Sequence, residues 1–280
     1  MRKILLWTLL SISLGFVLIT TSACISTSYS VVNVKKVFPR KSFVFVKKTT
    51  TFFQCKKNQC KIVFRGTMTG SASVIHHDKN RTYLMTAAHM IWMLPIHPVY
   101  KMMLERKGKL KSVSTYTFVD FHGKKYGLKK IIKSDKRTDL AIVSIKKTNI
   151  PAIPLAHSAP KVKERLFNVA APAGVFEKGL VLFFEGRFMG YSNDKKWTGQ
   201  DVRIALTNIP VIGGSSGSPI LNGDGEIVGM VSAVHNRFHH ISLSPTHNQI
   251  FSFFNKYLKK YGFGYCAAPI ETNHTRARQD

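Results

Sequence analysis

The stretch Gly213-Gly214-Ser215-Ser216-Gly217-Ser218-Pro219 decides how the rest of the chain is interpreted. It joins two short apolar runs, one ending at Ile212 and the other starting at Ile220. A serine flanked by glycines in such a turn suits a nucleophile whose oxyanion is bound by nearby backbone N–H groups. The pattern therefore predicts Ser216 as a nucleophile, with the N–H groups of Gly214 and Ser216 as its oxyanion hole.

Two upstream segments supply the groups that such a serine needs. Thr86-Ala87-Ala88-His89 ends a β-type run, and Asp139 opens an alternating run at 140–145. An imidazole takes the proton of the serine, and a carboxylate fixes the tautomer of the imidazole and stabilises its cation. The sequence therefore predicts a catalytic triad of His89, Asp139 and Ser216.

The order His, Asp, Ser with these flanking residues resembles the chymotrypsin-like serine proteases. The resemblance covers roughly residues 64–261, and it is closest to the bacterial and viral HtrA-like and glutamyl-endopeptidase-like branch. Segments similar to that branch lie at 70–75, 170–174, 207–210 and 221–229. The resemblance implies an all-β, chymotrypsin-like double β-barrel with a C-terminal helix, and a serine endopeptidase without a metal or organic cofactor.

The resemblance also implies where the substrate pocket would lie. Pro210 stands where trypsin-like enzymes hold an acid, and Val211 and Val231 stand where glutamyl endopeptidases hold Thr and His. Valines would leave a charged substrate side chain desolvated and unpaired. We therefore expect Pro210, Val211 and Val231 to form a pocket with a small or apolar P1 preference.

Short apolar or alternating runs predict β-strands through most of the chain, and their spacing suits two barrels. These runs lie at 74–75, 116–119, 140–145, 180–184, 202–206 and 227–234. Asn222-Gly223-Asp224-Gly225 predicts a hairpin turn, and one helical turn is expected at 90–93. Apolar residues at helical spacing over 250–261 predict a C-terminal helix, with Ser244 as N-cap, Pro245 at its first position and Gly262 as its stop.

The first 23 residues have the pattern of a targeting segment. A basic start precedes an apolar run from Ile4 to about Ile19, and small residues follow up to Ala23. This pattern predicts a secretory signal cleaved after Ala23. A lipoprotein acylated at Cys24 is the second interpretation and a retained membrane anchor the third. All three predict export, secreted or periplasmic, and the last two add attachment to a membrane.

The predicted organisation is therefore a signal peptide or anchor at 1–23, a linker at 24–45, a trypsin-like protease domain at 46–262 and a tail at 263–280. The strands and the helix expected after Ser216 use most of the remaining chain. We therefore expect no PDZ domain of the kind that follows HtrA-type proteases.

Four cysteines are consistent with export. Cys55 and Cys60 flank a hairpin-like loop and form the candidate disulfide. Cys24 and Cys266 are open to pairing or to remaining free thiols. The chain offers no second cysteine pair for zinc, and the histidine pairs 76–77 and 239–240 have no evident third ligand, so no metal site is expected.

Basic residues outnumber acidic residues by 42 to 14, which gives a formal charge of +28. Twelve basic and three acidic residues lie between Lys101 and Arg137. Such a charge attracts anionic partners. Since no motif for specific binding of nucleic acid is present, we expect attraction to an anionic membrane or to a cell-surface polyanion.

These observations together predict an exported serine endopeptidase that acts on protein or peptide substrates. The alternative is a protease-like binding protein that uses its basic surface for polyanions or membranes, with little or no hydrolysis. The presence of His89, Asp139 and Ser216 favours the enzyme, because each is required for the nucleophilic mechanism.

Overall fold

The computed structural model describes residues 39–56, 59–176, 178, 180–194, 202–235, 238 and 240–263. The predicted signal or anchor, most of the predicted linker, Cys24 and Cys266 lie outside these residues. Among the helices of the described part, none has the length and apolar character that crossing a membrane requires.

The first half of the described chain forms a seven-stranded antiparallel sheet in the order β5-β4-β1-β2-β3-β7-β6. All residues of β7 except the last are buried, because this strand lies between β3 and β6. The strands are β1 (Phe43–Lys56), β2 (Gln59–His77), β3 (Arg81–Ala87), β4 (Lys109–Asp120), β5 (Lys125–Gly127), β6 (Lys130–Asp135) and β7 (Leu140–Lys146).

The second half forms another seven-stranded antiparallel sheet, in the order β12-β11-β8-β9-β10-β14-β13. Apolar side chains from several of its strands form one core that includes Leu166, Phe188, Ile220 and Val228. The strands are β8 (Arg165–Ala170), β9 (Leu182–Asp194), β10 (Val202–Thr207), β11 (Pro219–Leu221), β12 (Ile227–Met230), β13 (Ala233–Val234) and β14 (Ser242–Pro245).

Within the described residues, three α-helices accompany the sheets: α1 (His89–Trp92), α2 (Pro98–Arg106) and α3 (His247–Leu258). Helix α3 buries Ile250, Phe251 and Phe254. One 3-10 turn follows it and ends at Gly262, whose φ is +84°. Glycine adopts this left-handed conformation without the steric cost of a Cβ atom. Two curled antiparallel sheets followed by a C-terminal helix confirm the predicted fold class.

The hairpin formed by β1 and β2 carries the predicted cysteine pair. Cys55 and Cys60 are opposite each other in the register of the two strands and form a disulfide. Their Cα atoms are 4.1 Å apart. The bond therefore links the two strands of a long hairpin of the first sheet next to the connection between them.

Three sequence predictions differ from the structure at the ends of elements. Strand β1 starts at Phe43, three residues before the predicted domain start, because Phe43 and Val44 are already buried in the sheet. At the other end, Phe263 was assigned to the tail, yet it is buried and its ring contacts the ring of Phe254. The predicted strand at 227–234 is two strands, since the chain bends between β12 and β13.

The predicted N-cap of the C-terminal helix is also wrong. Ser244 and Pro245 belong to β14, where Ser244 pairs with Ala205 of β10. Thr246 is the N-cap instead, and it forms a capping box with Gln249. Its side chain accepts the N–H of Gln249 at 3.3 Å, and its own N–H donates to Gln249 Oε1 at 2.8 Å. This pair satisfies two N–H groups that the first helical turn leaves without partners.

The turn around Ser216 leaves no room for a side chain at Gly217. Its φ is +89°, and a Cβ atom there would lie 2.1 Å from Ser71 O and 2.5 Å from Thr86 Oγ1. We predict that Gly217→Ala lowers the free energy of unfolding by about 3 kcal/mol or more, from backbone strain and overpacking together.

Gly223→Ala is the matched control for Gly217→Ala, because a Cβ atom at Gly223 would meet nothing within 4 Å. Its expected cost is within about 1 kcal/mol. Denaturant unfolding of both variants measures the difference. Equal stability of the two variants would contradict this account of the turn.

Candidate active site

His89 and Asp139 are brought into direct contact at the ends of two neighbouring strands of the first sheet. His89 is the first residue of α1, two residues after the end of β3 at Ala87, and Asp139 directly precedes β7, the strand paired with β3. The Nδ1 atom of His89 lies 2.9 Å from Asp139 Oδ2. Since a carboxylate only accepts, Nδ1 carries the proton, and Nε2 is left with its lone pair.

Further hydrogen bonds fix the position of Asp139. Its Oδ1 accepts the backbone N–H of His89 at 2.8 Å, and its backbone carbonyl accepts the N–H of Ala88 at 2.8 Å. The φ of Asp139 is +55°, a left-handed conformation that is uncommon outside glycine and is best tolerated by Asn and Asp. The carboxylate is thus held against the histidine by several contacts.

Ser216 lies in a loop of the second half that is held by the first sheet. Ser71 of β2 donates its N–H to Ser216 O at 2.8 Å and its hydroxyl to Gly214 O at 2.9 Å. On the other side, the N–H of Ala173 donates to Gly213 O. These bonds hold the loop at the junction of the two sheets, beside the ends of β3 and β7.

The two N–H groups predicted to bind an oxyanion have no hydrogen-bond acceptor within the described part of the chain. Among the hydrogen bonds of the described residues, neither Gly214 N nor Ser216 N donates to an acceptor, whereas Ser215 N donates to Ile212 O at 3.0 Å. Gly214 has a φ of +98°, and a Cβ atom there would lie 2.6 Å from Ala171 O. Glycine at 214 is therefore required by both conformation and space.

His89, Asp139, Gly214 and Ser216 line one open cavity of about 460 Å³. Within the described residues no hydrogen bond joins Ser216 Oγ to His89, and such bonds are often long before substrate binds. The cavity is lined in addition by four large apolar residues, one lysine and four small or polar residues: Met68, Met90, Trp92, Met93, Lys136, Thr69, Gly213, Ser232 and Ala233.

The residues predicted to form the substrate pocket do not line this cavity. Val231 is 2 % exposed and belongs to the core of the second sheet, and Val211 packs against that core. Pro210 is exposed and lies outside the lining. The reason is the bend after β12: Val231 N donates to Ser218 O at 2.9 Å, and Val231 O accepts from Gly217 N at 2.7 Å, which directs the valine inward.

Lys48 of β1 supports the turn that carries His89 and is not among the residues predicted from the sequence. Lys48 is 1 % exposed, and its Nζ donates to Ile91 O at 2.7 Å and to Met93 O at 2.8 Å. Tyr116 adds a hydrogen bond from its hydroxyl to Ile91 O at 3.0 Å. Burial lowers the pKa of Lys48 to about 8. No sequence motif marks this lysine, because its partners are backbone carbonyls more than 40 residues away.

This buried amine gives a prediction about stability and pH. The unfolded chain holds the Lys48 proton up to its ordinary pKa of 10.5, and the folded chain holds it only up to about 8. Between these values the unfolded state binds more protons, so the Lys48 contribution to the free energy of unfolding rises with pH, by at most about 1.4 kcal/mol per pH unit.

Lys48→Met removes that contribution, so the stability advantage of the wild type over Lys48→Met should increase from pH 8 to pH 10.5. Denaturant unfolding of both proteins at several pH values in this window measures it. Parallel stability curves for the two proteins would contradict a lowered pKa of Lys48.

One family model matches the part of the chain that contains the candidate site. The model described as a trypsin-like peptidase domain matches residues 70–230, more than half of the chain. This segment starts at Gly70 of β2 and contains His89, Asp139 and Ser216.

Similar curated proteins come from bacteria. The chain is 30 % identical over 112 residues to a probable periplasmic serine endoprotease, DegP-like, of Hahella chejuensis. It is 31 % identical over 112 residues to the protein of the same description from Pseudomonas putida strain W619. In both cases the match covers 39 % of this chain and 22 % of the relative, so the chain spans about a fifth of their length.

Solved structures with the same fold include an HtrA-type protease, AlgW, with a decapeptide, at a TM-score of 0.58 and 15 % identity. That match covers 81 % of this chain and 66 % of AlgW. The active form of the Rv3671c protease from M. tuberculosis matches at a TM-score of 0.55 and 17 % identity, over 85 % of this chain and 89 % of that protein. The double-barrel fold is thus shared with these enzymes, and by its family model the chain belongs to the trypsin-like peptidases.

Proposed function

We propose that this protein is an exported serine endopeptidase that cleaves protein or peptide substrates. The observation that carries the proposal is the contact of His89 with Asp139 in a cavity that also holds Ser216 and two N–H groups without acceptors among the described residues. Export, to the periplasm in particular, is supported by the basic and apolar start of the chain and by the descriptions of its DegP-like relatives.

In the proposed reaction, Ser216 Oγ attacks the scissile carbonyl and passes its proton to His89 Nε2. Asp139 holds His89 in the tautomer that accepts this proton and stabilises the imidazolium that forms. The N–H groups of Gly214 and Ser216 donate to the oxyanion of the tetrahedral intermediate. His89 then returns the proton to the leaving amine, and water releases the acyl group from Ser216.

The proposed P1 preference remains small or apolar, although the residues that support it are different. The cavity wall next to Ser216 includes Gly213, Ser232 and Ala233, none of which carries a charge. The leaving-group side adjoins His89, where Met90, Trp92 and Met93 add an apolar wall. A charged P1 side chain would meet no counter-ion among Gly213, Ser232 and Ala233. Lys136, the lysine of the lining, has its Nζ 5.1 Å from the centroid of the Trp92 ring on the leaving-group side.

Hydrolysis of an unfolded protein substrate such as reduced casein tests the proposal, with the products identified by mass spectrometry. We expect wild-type protein to generate new termini after small or apolar residues, and Ser216→Ala to generate none. Ser215→Ala is the matched control, since Ser215 Oγ is buried without a hydrogen-bond partner among the described residues. Equal cleavage by wild type and Ser216→Ala would reject the proposal. Salt-sensitive binding of heparin or anionic vesicles without cleavage would favour the binding-protein alternative.

A further inference from the structure

Helix α2 packs on the first sheet through one side only. Leu104 is 8 % exposed, and its carbonyl accepts a hydrogen bond from Gln54 Nε2 of β1 at 3.0 Å. The ring of Tyr100 meets the ring of Phe64 of β2 edge to face, with centroids 5.7 Å apart. These contacts determine which side of the helix faces the barrel.

The opposite side of α2 exposes apolar residues. Val99, Met102 and Met103 are 53 %, 54 % and 53 % exposed. With about 100° between successive residues, they lie on the side of the helix away from Leu104. A helix on the surface of a globular protein normally carries polar residues there. We call Val99, Met102 and Met103 the methionine face of α2.

Basic residues cluster at the C-terminal end of the methionine face. Arg106 lies on α2 one helical turn after Met102, and Lys107 and Lys109 follow the helix. Gly108 lies against β1, so that a Cβ atom there would be 3.5 Å from Lys56 Cγ. This brings another lysine close to the C-terminal end of the helix.

The negative charge of Glu105, the acidic residue of α2, is paired with the positive charge of a lysine on the same helix. Glu105 Oε1 lies 3.6 Å from Lys101 Nζ, one helical turn away. The basic residues at the C-terminal end of α2 and beyond it are therefore left with their positive charge. The surface around the methionine face is cationic as well as apolar.

We propose that the methionine face of α2 docks into the headgroup region of a membrane that contains anionic lipids. A helix that lies at a membrane surface combines an apolar face with flanking Lys and Arg, and each basic residue near anionic lipid adds to the attraction. Methionine side chains are flexible and polarisable, so they adapt to irregular apolar surroundings such as acyl chains. Because these side chains project outward with half of their surface exposed, they suit insertion into a bilayer.

Docking would also hold the active-site cavity near the membrane. Helix α1 carries His89, and the short segment 93–97 connects it to α2. Trp92, at the end of α1, is 42 % exposed and lines the cavity. This inference does not depend on hydrolysis, since it concerns a surface outside the cavity.

Oxidation of methionines by hydrogen peroxide, read by mass spectrometry, tests the docking on the full wild-type chain. Vesicles of phosphatidylcholine alone are compared with vesicles of phosphatidylcholine and phosphatidylglycerol in equal parts. We expect the oxidation rates of Met102 and Met103 to fall severalfold on the anionic vesicles only, and the effect to weaken at high salt. Met189 of β9, which is 46 % exposed, is the internal control and should be oxidised at an unchanged rate.

This readout is specific to position, so binding of vesicles through another part of the chain does not imitate it. Absence of protection, or equal protection by neutral vesicles, would overturn the proposal. Protection of Met102 and Met103 by heparin in the absence of lipid would overturn it in favour of a polyanion or acidic protein partner. In the double variant Met102→Glu, Met103→Glu, vesicle binding should fall relative to Met189→Glu, and equal binding of the two would also count against it.

Discussion

His89→Ala is expected to lower the rate of peptide hydrolysis by roughly 10⁶-fold, with little change in KM. Without the imidazole, the proton of Ser216 has no histidine to accept it, because among the described residues His89 is the one histidine that lines the cavity. Steady-state kinetics on a peptide substrate, or product counting by mass spectrometry where turnover is slow, measures the loss.

His97→Ala is the control for that variant. His97 is exposed at the start of α2 and does not line the cavity. It should retain wild-type activity, which separates loss of the base from a general effect of removing a histidine. A decrease of less than tenfold in His89→Ala, in protein that remains folded, would contradict the assignment of His89 as the base.

Asp139→Asn is expected to lower kcat by about 10⁴-fold while the protein stays folded. Asn has nearly the same shape and also tolerates the left-handed φ of +55° at this position. Its amide can donate to His89 Nδ1, which would then accept, and this leaves the proton on Nε2, where it cannot receive another from Ser216. The loss therefore arises from the tautomer of His89 and not from its position.

The kinetics of Asp139→Asn distinguish this explanation from simple damage. KM and the thermal unfolding midpoint should stay near wild type while kcat falls. Asp135→Asn is the comparison, because Asp135 is the last residue of β6, close to Asp139 in the chain, but accepts hydrogen bonds from Arg137 N and Thr138 Oγ1 outside the cavity. Similar losses of kcat in both variants would contradict a specific role for Asp139.

The predicted triad residues, which the structure brings to one cavity, are carried by short segments. His89 follows a strand end, Asp139 precedes the neighbouring strand, and Ser216 lies in a glycine-rich loop, so the order along the chain and the flanking residues were enough to propose them. The pairing of Cys55 with Cys60 was likewise predicted from a short segment, because the two cysteines flank a hairpin-like loop. Each of these signals is local.

The parts that sequence analysis missed depend on contacts between distant segments. Lys48 gives no signal, because a lysine is expected to be exposed, whereas the turn after His89 covers this one and offers two carbonyls. Val231 looked like a pocket residue, but its backbone pairs with the Ser216 loop and turns its side chain into the core. Helix α2 was not predicted because apolar residues lie on its exposed side as well as on its buried side, so its sequence lacks the usual alternation of apolar and polar faces.

One error could have been avoided from the sequence. Thr246 and Gln249 have the spacing of a capping box, which is a better signal for the start of a helix than Ser244 followed by proline. Pairing of β14 with β10 then explains why Pro245 is a strand end: it lies at the last register position of the pair, opposite Ile204.

The most direct test of the central claim is covalent labelling of the full-length chain with a fluorophosphonate, followed by peptide mapping. A phosphonyl group attaches to a serine oxygen only when that oxygen is activated by a base. We predict a single adduct on Ser216, a rate of labelling that falls sharply in His89→Ala, and no adduct after thermal unfolding. Folded wild-type protein that forms no adduct, or that forms one equally well without His89, would contradict the account.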